Sequence, residues 1–205
     1  MITNQLQQRL NRILPKIRSS LFLNGKGIGN EIPFYVFDYP PKDELQVREF
    51  LRTLIGHDLK QELPDRKIIH VNLLEFLCDY VKDRGYFEKL LYGVSAQDNT
   101  KTLKLIRSIT GAEKFADYFA SKIMTQQPDL ILISGVGSVY PVIRIHELLN
   151  NLHKHTELTP LIVFYPGVYD KTTFHLFGRT NLTLDSSLNE RYHSSRYYRA
   201  FRLID

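Results

Sequence analysis

Short apolar runs alternate along this chain with longer stretches in which apolar residues recur at helical spacing. Four of the runs are rich in β-branched or aromatic residues and are bounded by turn-forming residues, as buried strands are. A short fifth run and an alternating segment at the end predict two further strands, the last at an edge of the sheet. The predicted strands are 33–39, 67–73, 129–134, 161–167, 174–178 and one within 196–205.

Between the strands, apolar residues recur three and four positions apart, which predicts amphipathic helices. The predicted helices are 4–21, 43–55, 74–82, 86–92, 98–109, 112–127 and 139–152. Strands that alternate with helices favour an α/β fold with a mostly parallel central sheet flanked by helices. The helices around 74–127 form an insert longer than a simple crossover, so we expect a small helical lobe there.

The length and the pattern together predict a single domain over residues 1–205. Residues 1–30 would supply an amphipathic helix and a glycine-rich connector, and residues 31–205 the α/β core. Pro15 is expected to kink the first helix. The core-facing residues we expect of that helix are Leu6, Leu10, Ile13, Leu14, Ile17 and Leu21. Those of the second helix are Leu45, Phe50, Leu51, Leu54 and Ile55.

Charge sharpens the interpretation of the amino end. The chain has 27 Lys and Arg against 22 Asp and Glu, and residues 1–30 hold five of these bases and no acid. Three interpretations stay open for this basic amphipathic segment. It is a helix docked on its own domain, a partner- or nucleic-acid-binding arm through Arg9, Arg12 and Lys16, or a cleaved transit peptide. The tail residues Arg196 and Arg199, interleaved with tyrosines, are a second weak candidate for nucleic-acid binding.

The segment 129–151 is the most suggestive stretch of the chain. It predicts a buried strand, a tight turn over Gly135 to Ser138, and a helix with Pro141 in its first turn. Loops that follow parallel strands are where α/β proteins hold ligands and partners. However, the strand ends without a carboxylate, and Ser134 and Ser138 stand outside any GxSxG pattern, so hydrolysis by a serine is disfavoured. The glycines could still present N–H groups to an anion.

The succession of strands and helices has the outline of a P-loop nucleotide hydrolase, but the Walker motifs are missing. The loop after the first strand is Pro40-Pro41, which removes two of the N–H donors that a phosphate cradle needs. The glycine-rich segment 24–30 precedes the first strand and has no Gly-Lys-Ser/Thr. A degenerate nucleotide- or anion-binding protein therefore remains only an alternative.

Other chemistry finds little support in the sequence. The seven histidines form no HExxH, and the single cysteine, Cys78, excludes a cysteine cluster and an internal disulfide. We therefore expect no metal, no cofactor and no enzymatic activity, and a reducing cytoplasm as the compartment. No apolar run approaches the roughly 18–20 residues of a membrane span, and the amino end lacks the features of a signal peptide.

Aromatic residues near the strand ends favour a protein interface instead. The residues that we expect to contact a partner are Asp38, Tyr39, Gly135, Gly137, Tyr140, Arg144, Tyr165 and Tyr169. On this hypothesis Gly135→Asp or Tyr140→Ala would disrupt assembly more than folding. A core role with a hydrated hydroxyl is the alternative for about half of the tyrosines.

Three segments, 25–48, 129–152 and 159–170, resemble the BrxB family of bacteriophage exclusion (BREX) defence systems. The resemblance spans essentially the whole chain. It implies a protein without an assigned enzymatic activity, encoded beside an ATPase, a DNA adenine methyltransferase and PglZ, a protein of the alkaline-phosphatase superfamily. It supplies no catalytic residues to carry over. The expected function is a non-catalytic interaction subunit that docks onto a PglZ-like protein and possibly other BREX components. DNA would be contacted only indirectly or weakly, and a nucleic-acid-binding module is the alternative.

Overall fold

A central parallel sheet organises the computed structural model, which describes residues 4–23, 33–95, 99–156, 158–171, 173–177 and 200–205. The strands lie in the order β2-β3-β4-β1-β6, all parallel, and β5 pairs antiparallel with the end of β4. Their bounds are β1 Phe34–Tyr39, β2 Ile68–Asn72, β3 Leu130–Ser134, β4 Leu161–Tyr169, β5 Phe174–Leu176 and β6 Phe201–Arg202. The mostly parallel sheet and the final edge strand are confirmed.

Central strands are more deeply buried than the edge strand β2. Every residue of β1 and β3 is buried, because each of these strands has a neighbour on both sides and helices on both faces. The edge strand β2 is largely half-buried. Register follows the apolar pattern, with Phe34 opposite Leu161 and Ile131 also opposite Leu161.

Two layers of helices cover the sheet, as predicted. One core cluster joins alternate residues of the strands to α6, α9, α10 and α11, and the other joins the remaining strand residues to α1–α5. The helices are α1 Asn4–Asn11, α2 Ile13–Arg18, α3 Ser20–Leu23, α4 Glu44–Thr53, α5 Leu59–Glu62, α6 Leu73–Asp83, α7 Phe87–Ser95, α8 Asn99–Ile109, α9 Ala112–Ile123, α10 Val136–Val139 and α11 Ile145–Thr156. Further 3-10 turns lie at Pro41–Asp43 and Met124–Gln126, and a π-helical turn at Leu54–Asp58.

The amino-terminal helix docks on its own domain. Leu6, Leu10, Ile13 and Ile17 are fully buried in the second core cluster, which confirms the first of the three interpretations. The single predicted helix is nevertheless three short ones, with breaks at Arg12 and Ser19. Leu21 is exposed, because the new helix that starts at Ser20 turns it away from the sheet. The glycine connector 24–30 lies outside the described residues.

The predicted buried face of the second helix is partly wrong. Leu45 is 77% exposed, and Val47 takes its place in the core with Leu51 and Leu54. The helix starts at Glu44 after a 3-10 turn, and residues 47, 51 and 54 then share one face at helical spacing. Leu45 lies six positions before Leu51 and nine before Leu54, so at about 100° per residue it is turned by about 120° and 180° away from them.

The insert is a helical lobe, as expected. Tyr80 of α6 is buried between α6 and α9, with its ring edge-on to Phe115 and its hydroxyl donating to the Ile109 carbonyl at 2.7 Å. Gly85 adopts a left-handed conformation in the turn that separates α6 from α7. The lobe packs on α11 through α9, whose residues Phe115, Ala116 and Phe119 are buried.

The region after β3 differs from the prediction. Gly135 is left-handed, with φ 74°, and Val136–Val139 already forms a helical turn where a tight turn was expected. The Tyr140–Pro141 peptide is cis, and α11 begins only at Ile145. Pro141 therefore lies in the link between two helices and not in the first turn of one.

Gly135 is predicted to be required for folding. A Cβ there would lie 2.6 Å from Asn72 Oδ1, the atom that caps α6 by accepting from the Leu74 N–H. Gly135→Ala should therefore lower the free energy of unfolding by about 1–3 kcal/mol, from backbone strain and displacement of that cap. Chemical denaturation measures it. The matched control is Gly56→Ala, where no atom lies within 4 Å and no positive φ is needed. This control should be neutral or stabilising by up to ~1 kcal/mol, and equal losses in the two variants would contradict the assignment.

Candidate functional site

The carboxyl ends of the parallel strands meet at one edge of the sheet, which we call the carboxyl edge. It is formed by Asp38-Tyr39 after β1, Asn72 at the end of β2, Ser134-Gly135 after β3 and the β4–β5 hairpin. Most of the predicted interaction residues lie here, as expected from the strand assignments. Their exposure, however, divides them into two groups.

Asp38 is the centre of a charged network that crosses the sheet. Its Oδ1 accepts from Arg9 Nη2 at 2.8 Å, while Arg9 Nη1 donates to the Asp38 carbonyl at 2.8 Å. Its Oδ2 accepts from the Tyr169 N–H at 3.1 Å and lies 3.4 Å from Arg202 Nη2. Arg202 Nη2 also donates to the Tyr169 carbonyl. Asp38 thus joins α1, β1, β4 and β6 in one arrangement.

Three predicted interface tyrosines are core residues. Tyr39, Tyr165 and Tyr169 are all buried. Tyr39 donates to Glu44 Oε2 at 2.6 Å, and Tyr169 donates to the Ala200 carbonyl at 2.8 Å. Burial raises the pKa of Tyr39 and of Tyr165 well above the ordinary tyrosine value. The hydroxyls of Tyr39 and Tyr169 are hydrogen-bonded within the fold, and the Tyr165 ring packs edge-on to Phe174. For these tyrosines and for Asp38 the geometry therefore favours a structural role over partner contact.

The two glycines serve close packing. A Cβ on Gly137 would lie 3.1 Å from the Phe177 ring and 3.2 Å from Pro166, so a side chain at this position would push α10 away from the hairpin. Gly135 is needed for its positive φ, as described above. We therefore now expect substitutions at Gly135 to act on folding rather than on assembly.

Tyr140 and Arg144 are the predicted residues that reach the surface. Both are half-buried, in the link between α10 and α11. Tyr140 lies close enough to Tyr165 to contribute to its raised pKa, and Arg144 Nη1 lies 3.9 Å from Glu147 Oε1. Their role in partner binding stays a prediction.

A serine–histidine pair at this edge was missed by the sequence reasoning. His70 Nε2 lies 2.8 Å from Ser134 Oγ, and burial lowers the pKa of His70 despite the opposing effect of Glu75. The register that pairs Asn72 with Ser134 places His70 on the same face of the sheet, and the spacing of residues in the sequence does not reveal that register. Within the described residues no side chain hydrogen-bonds the other nitrogen of His70, so the orienting group of a catalytic triad is not found there.

The basic candidates at the amino end are largely engaged. Arg9 binds Asp38 and lies 4.7 Å over the Phe37 ring, and Arg12 donates to the Asp205 carbonyl at 3.0 Å. Lys16 is exposed on α2. Arg196 and Arg199 lie outside the described residues. In the described part of the amino end, the basic residues therefore belong to a docked helical segment and not to a free arm.

The described residues contain neither a metal-binding cluster nor a helix that could cross a membrane. No group of three or more His, Cys, Asp or Glu side chains there could hold a metal ion. None of the helices in those ranges combines the length and the apolar character that crossing a membrane requires.

Comparison with known proteins gives one consistent result. The family model described as "BREX protein BrxB" matches residues 69–203. A BREX protein BrxB of Bacillus cereus (strain H3081.97) is 34% identical over 208 residues, covering 98% of each chain. A BREX protein BrxB of Escherichia coli O9:H4 (strain HS) is 36% identical over 207 residues, covering 100% of this chain and 94% of that relative. No solved structure matches the chain significantly.

The Asp38 network gives a prediction about stability. Asp38→Asn would leave Arg9 and Arg202, both mostly buried, without their counter-charge. We expect a loss of about 2–3 kcal/mol in the free energy of unfolding, somewhat below that of a fully buried pair. Chemical denaturation provides the measurement. The control is Glu49→Gln, which breaks the exposed pair with Arg52 and should cost at most ~0.5 kcal/mol. A similar cost for both would show that the network does not hold the fold.

His146 gives a prediction about pH. Burial and the positive charge of Arg144 lower the pKa of His146 to about 4. The pKa is lowered even though the Glu147 Oε1 atom lies 3.9 Å from His146 Nε2. The unfolded chain takes up this proton near pH 6.5, so stability should fall as the pH drops from about 6.5 towards 4. His146→Gln should reduce that slope. In a proton NMR titration the His146 ring should remain neutral above pH 5, and a midpoint near 6.5 would contradict this.

Proposed function

The chain belongs to the BrxB family of BREX proteins, components of a phage-defence system, and from this we propose that it is a non-catalytic interaction subunit. We further propose that it docks onto a PglZ-like protein, in the cytoplasm and together with other BREX components. The family membership fixes the system, whereas the docking role rests on the surface of this chain.

Exposed apolar side chains at the carboxyl edge are the observation that carries the proposal. Leu74 in the first turn of α6, Val168 in the hairpin and Phe177 after β5 are all exposed. We call these three residues the edge patch. The Phe177 ring lies against Gly137 of α10. α10 also packs against α6, which carries Leu74, and against β4, which carries Val168. Apolar side chains gathered at the ligand-facing edge of an α/β sheet are typical of a protein-binding surface.

Polar groups beside the edge patch support a protein partner. Tyr140 and Arg144, both half-buried, lie in the link that follows α10. Tyrosine and arginine beside apolar residues are the side chains that most often dominate binding energy at interfaces. By contrast, the Asp38 carboxylate accepts hydrogen bonds from Arg9 and from the Tyr169 N–H within the fold, which does not favour a role as a catalytic acid or base.

A binding experiment with variants tests the docking proposal. The chain and the cognate PglZ-like protein should run as one complex on a sizing column at micromolar concentration. The double variant Leu74→Gln with Phe177→Asn should weaken binding at least about tenfold, and Tyr140→Ala should weaken it in the same direction. Asparagine suits position 177, because this residue has φ 57° and asparagine tolerates a left-handed backbone.

The control is Leu158→Gln. Leu158 is more exposed, at 69% against 44% for Leu74, but lies in the loop before β4, at the opposite edge of the sheet. It should leave binding unchanged. Two separate species from the unmodified proteins would refute docking on the PglZ-like protein, and equal losses from both sets of variants would refute the edge patch as its surface. Unchanged circular dichroism and thermal midpoints confine the comparison to binding.

A further inference from the structure

A cleft of about 540 Å³ lies between the amino-terminal helix, the loop after β1 and the residues around β6. It is independent of the edge patch and of the docking proposal. Its lining residues come from α1 and the following turn, from the end of β1 with its loop, and from residues 202–205. They include Gln5, Leu6, Gln8, Arg9, Arg12, Asp38, Pro40, Lys42, Arg202, Ile204 and Asp205.

The amino-terminal helix presents a polar stripe to this cleft. Gln5, Gln8, Arg9 and Arg12 are spaced by three, one and three positions and line it together. That spacing is the pattern of one helical face. The opposite face of the same segment carries the buried leucines and isoleucines of the core, so the stripe is held in place by apolar packing.

The cleft carries an excess of positive charge. Four cationic side chains line it, Arg9, Arg12, Lys42 and Arg202, against the two carboxylates of Asp38 and Asp205. The Asp38 carboxylate already accepts from Arg9 and from the Tyr169 N–H. The Asp38 carboxylate therefore already has its hydrogen-bond partners inside the fold. The excess of cationic side chains gives the solvent in the cleft a positive potential.

Donors remain for a ligand. Arg202 Nε is buried and makes no hydrogen bond within the described residues, although it lies on a side chain that lines the cleft. Lys42 is exposed and has no ion pair or hydrogen bond with the described part of the chain. Among the described residues, Arg12 donates through Nη1 alone, to the main-chain oxygen of Asp205. Lys42 and the remaining N–H groups of Arg12 are therefore the donors that a ligand in the cleft could use.

We propose that this cleft binds a small phosphate-bearing ligand. A phosphate monoester carries about −1.5 to −2 charges at pH 7, and four cationic side chains line the cleft against two carboxylate side chains. Guanidinium groups suit phosphate oxygens because they present several donors in a plane. The volume falls within the roughly 300–1,000 Å³ of small-molecule sites, and Leu6, Pro40 and Ile204 offer apolar contact to the body of an ester.

Calorimetry with two probes tests this proposal on the full chain. Inorganic phosphate and adenosine monophosphate are titrated at an ionic strength held constant with sodium chloride, and adenosine serves as the uncharged comparison. Both phosphate probes should bind and adenosine should not. Lys42→Gln and Arg12→Gln should each weaken phosphate binding about tenfold, as expected for the loss of one charge-assisted hydrogen bond.

Lys16→Gln is the matched control. Lys16 is an exposed base on α2 outside the cleft, so its removal alters net charge equally. It should leave the affinity unchanged, and the thermal midpoints of all three variants should match that of the unmodified chain. Tighter binding of adenosine monophosphate than of phosphate identifies an ester site, and equal binding a site for phosphate alone. Absence of heat with both probes, binding of adenosine, or equal weakening by Lys16→Gln overturns the proposal.

Discussion

The position of the Asp38 carboxylate is the constraint on which this architecture depends. A charge at the end of a central strand is stable only when fixed donors surround it. Those donors come from three separate parts of the chain, Arg9 of α1, the Tyr169 N–H at the end of β4 and Arg202 of β6. The two ends of the sequence are thereby fastened to the middle of the sheet, and the basic amino end becomes part of the fold.

This constraint decides between interpretations that the sequence leaves open. Arg9 and Asp38 are candidates for different functions when only the sequence is considered, one for nucleic acid and one for a protein partner. Their bonds at 2.8 Å give both a role inside the molecule. The functional surface must therefore be sought in what the network leaves exposed. Two such surfaces are the edge patch at the carboxyl edge and the cationic cleft beside α1, which residues of the network help to line.

How far the sequence predicts the structure depends on the range of the interactions involved. Apolar spacing is local, so it predicts the strands, the helical lobe and the buried face formed by Leu6, Leu10 and Ile17. Leu45 was misplaced because, at helical spacing, it lies on the face of α4 opposite Leu54. Tyr165 and Tyr169 were expected at the surface, but their burial depends on Phe174 of the following hairpin, which packs on both rings. The pair of His70 with Ser134 follows from strand register, which spacing alone does not reveal.

The loop after β1 links the absence of a Walker motif to the character of the cleft. A phosphate cradle at this position is made of backbone N–H groups, and Pro40 and Pro41 have none to offer. Recognition of an anion there must come from side chains. Lys42 belongs to the loop itself, and Arg12 and Arg202 lie beside it because α1 and β6 are fastened to Asp38. The same network that pairs Arg9 with Asp38 therefore gathers, from both ends of the chain, guanidinium donors in place of the backbone N–H groups that the loop lacks.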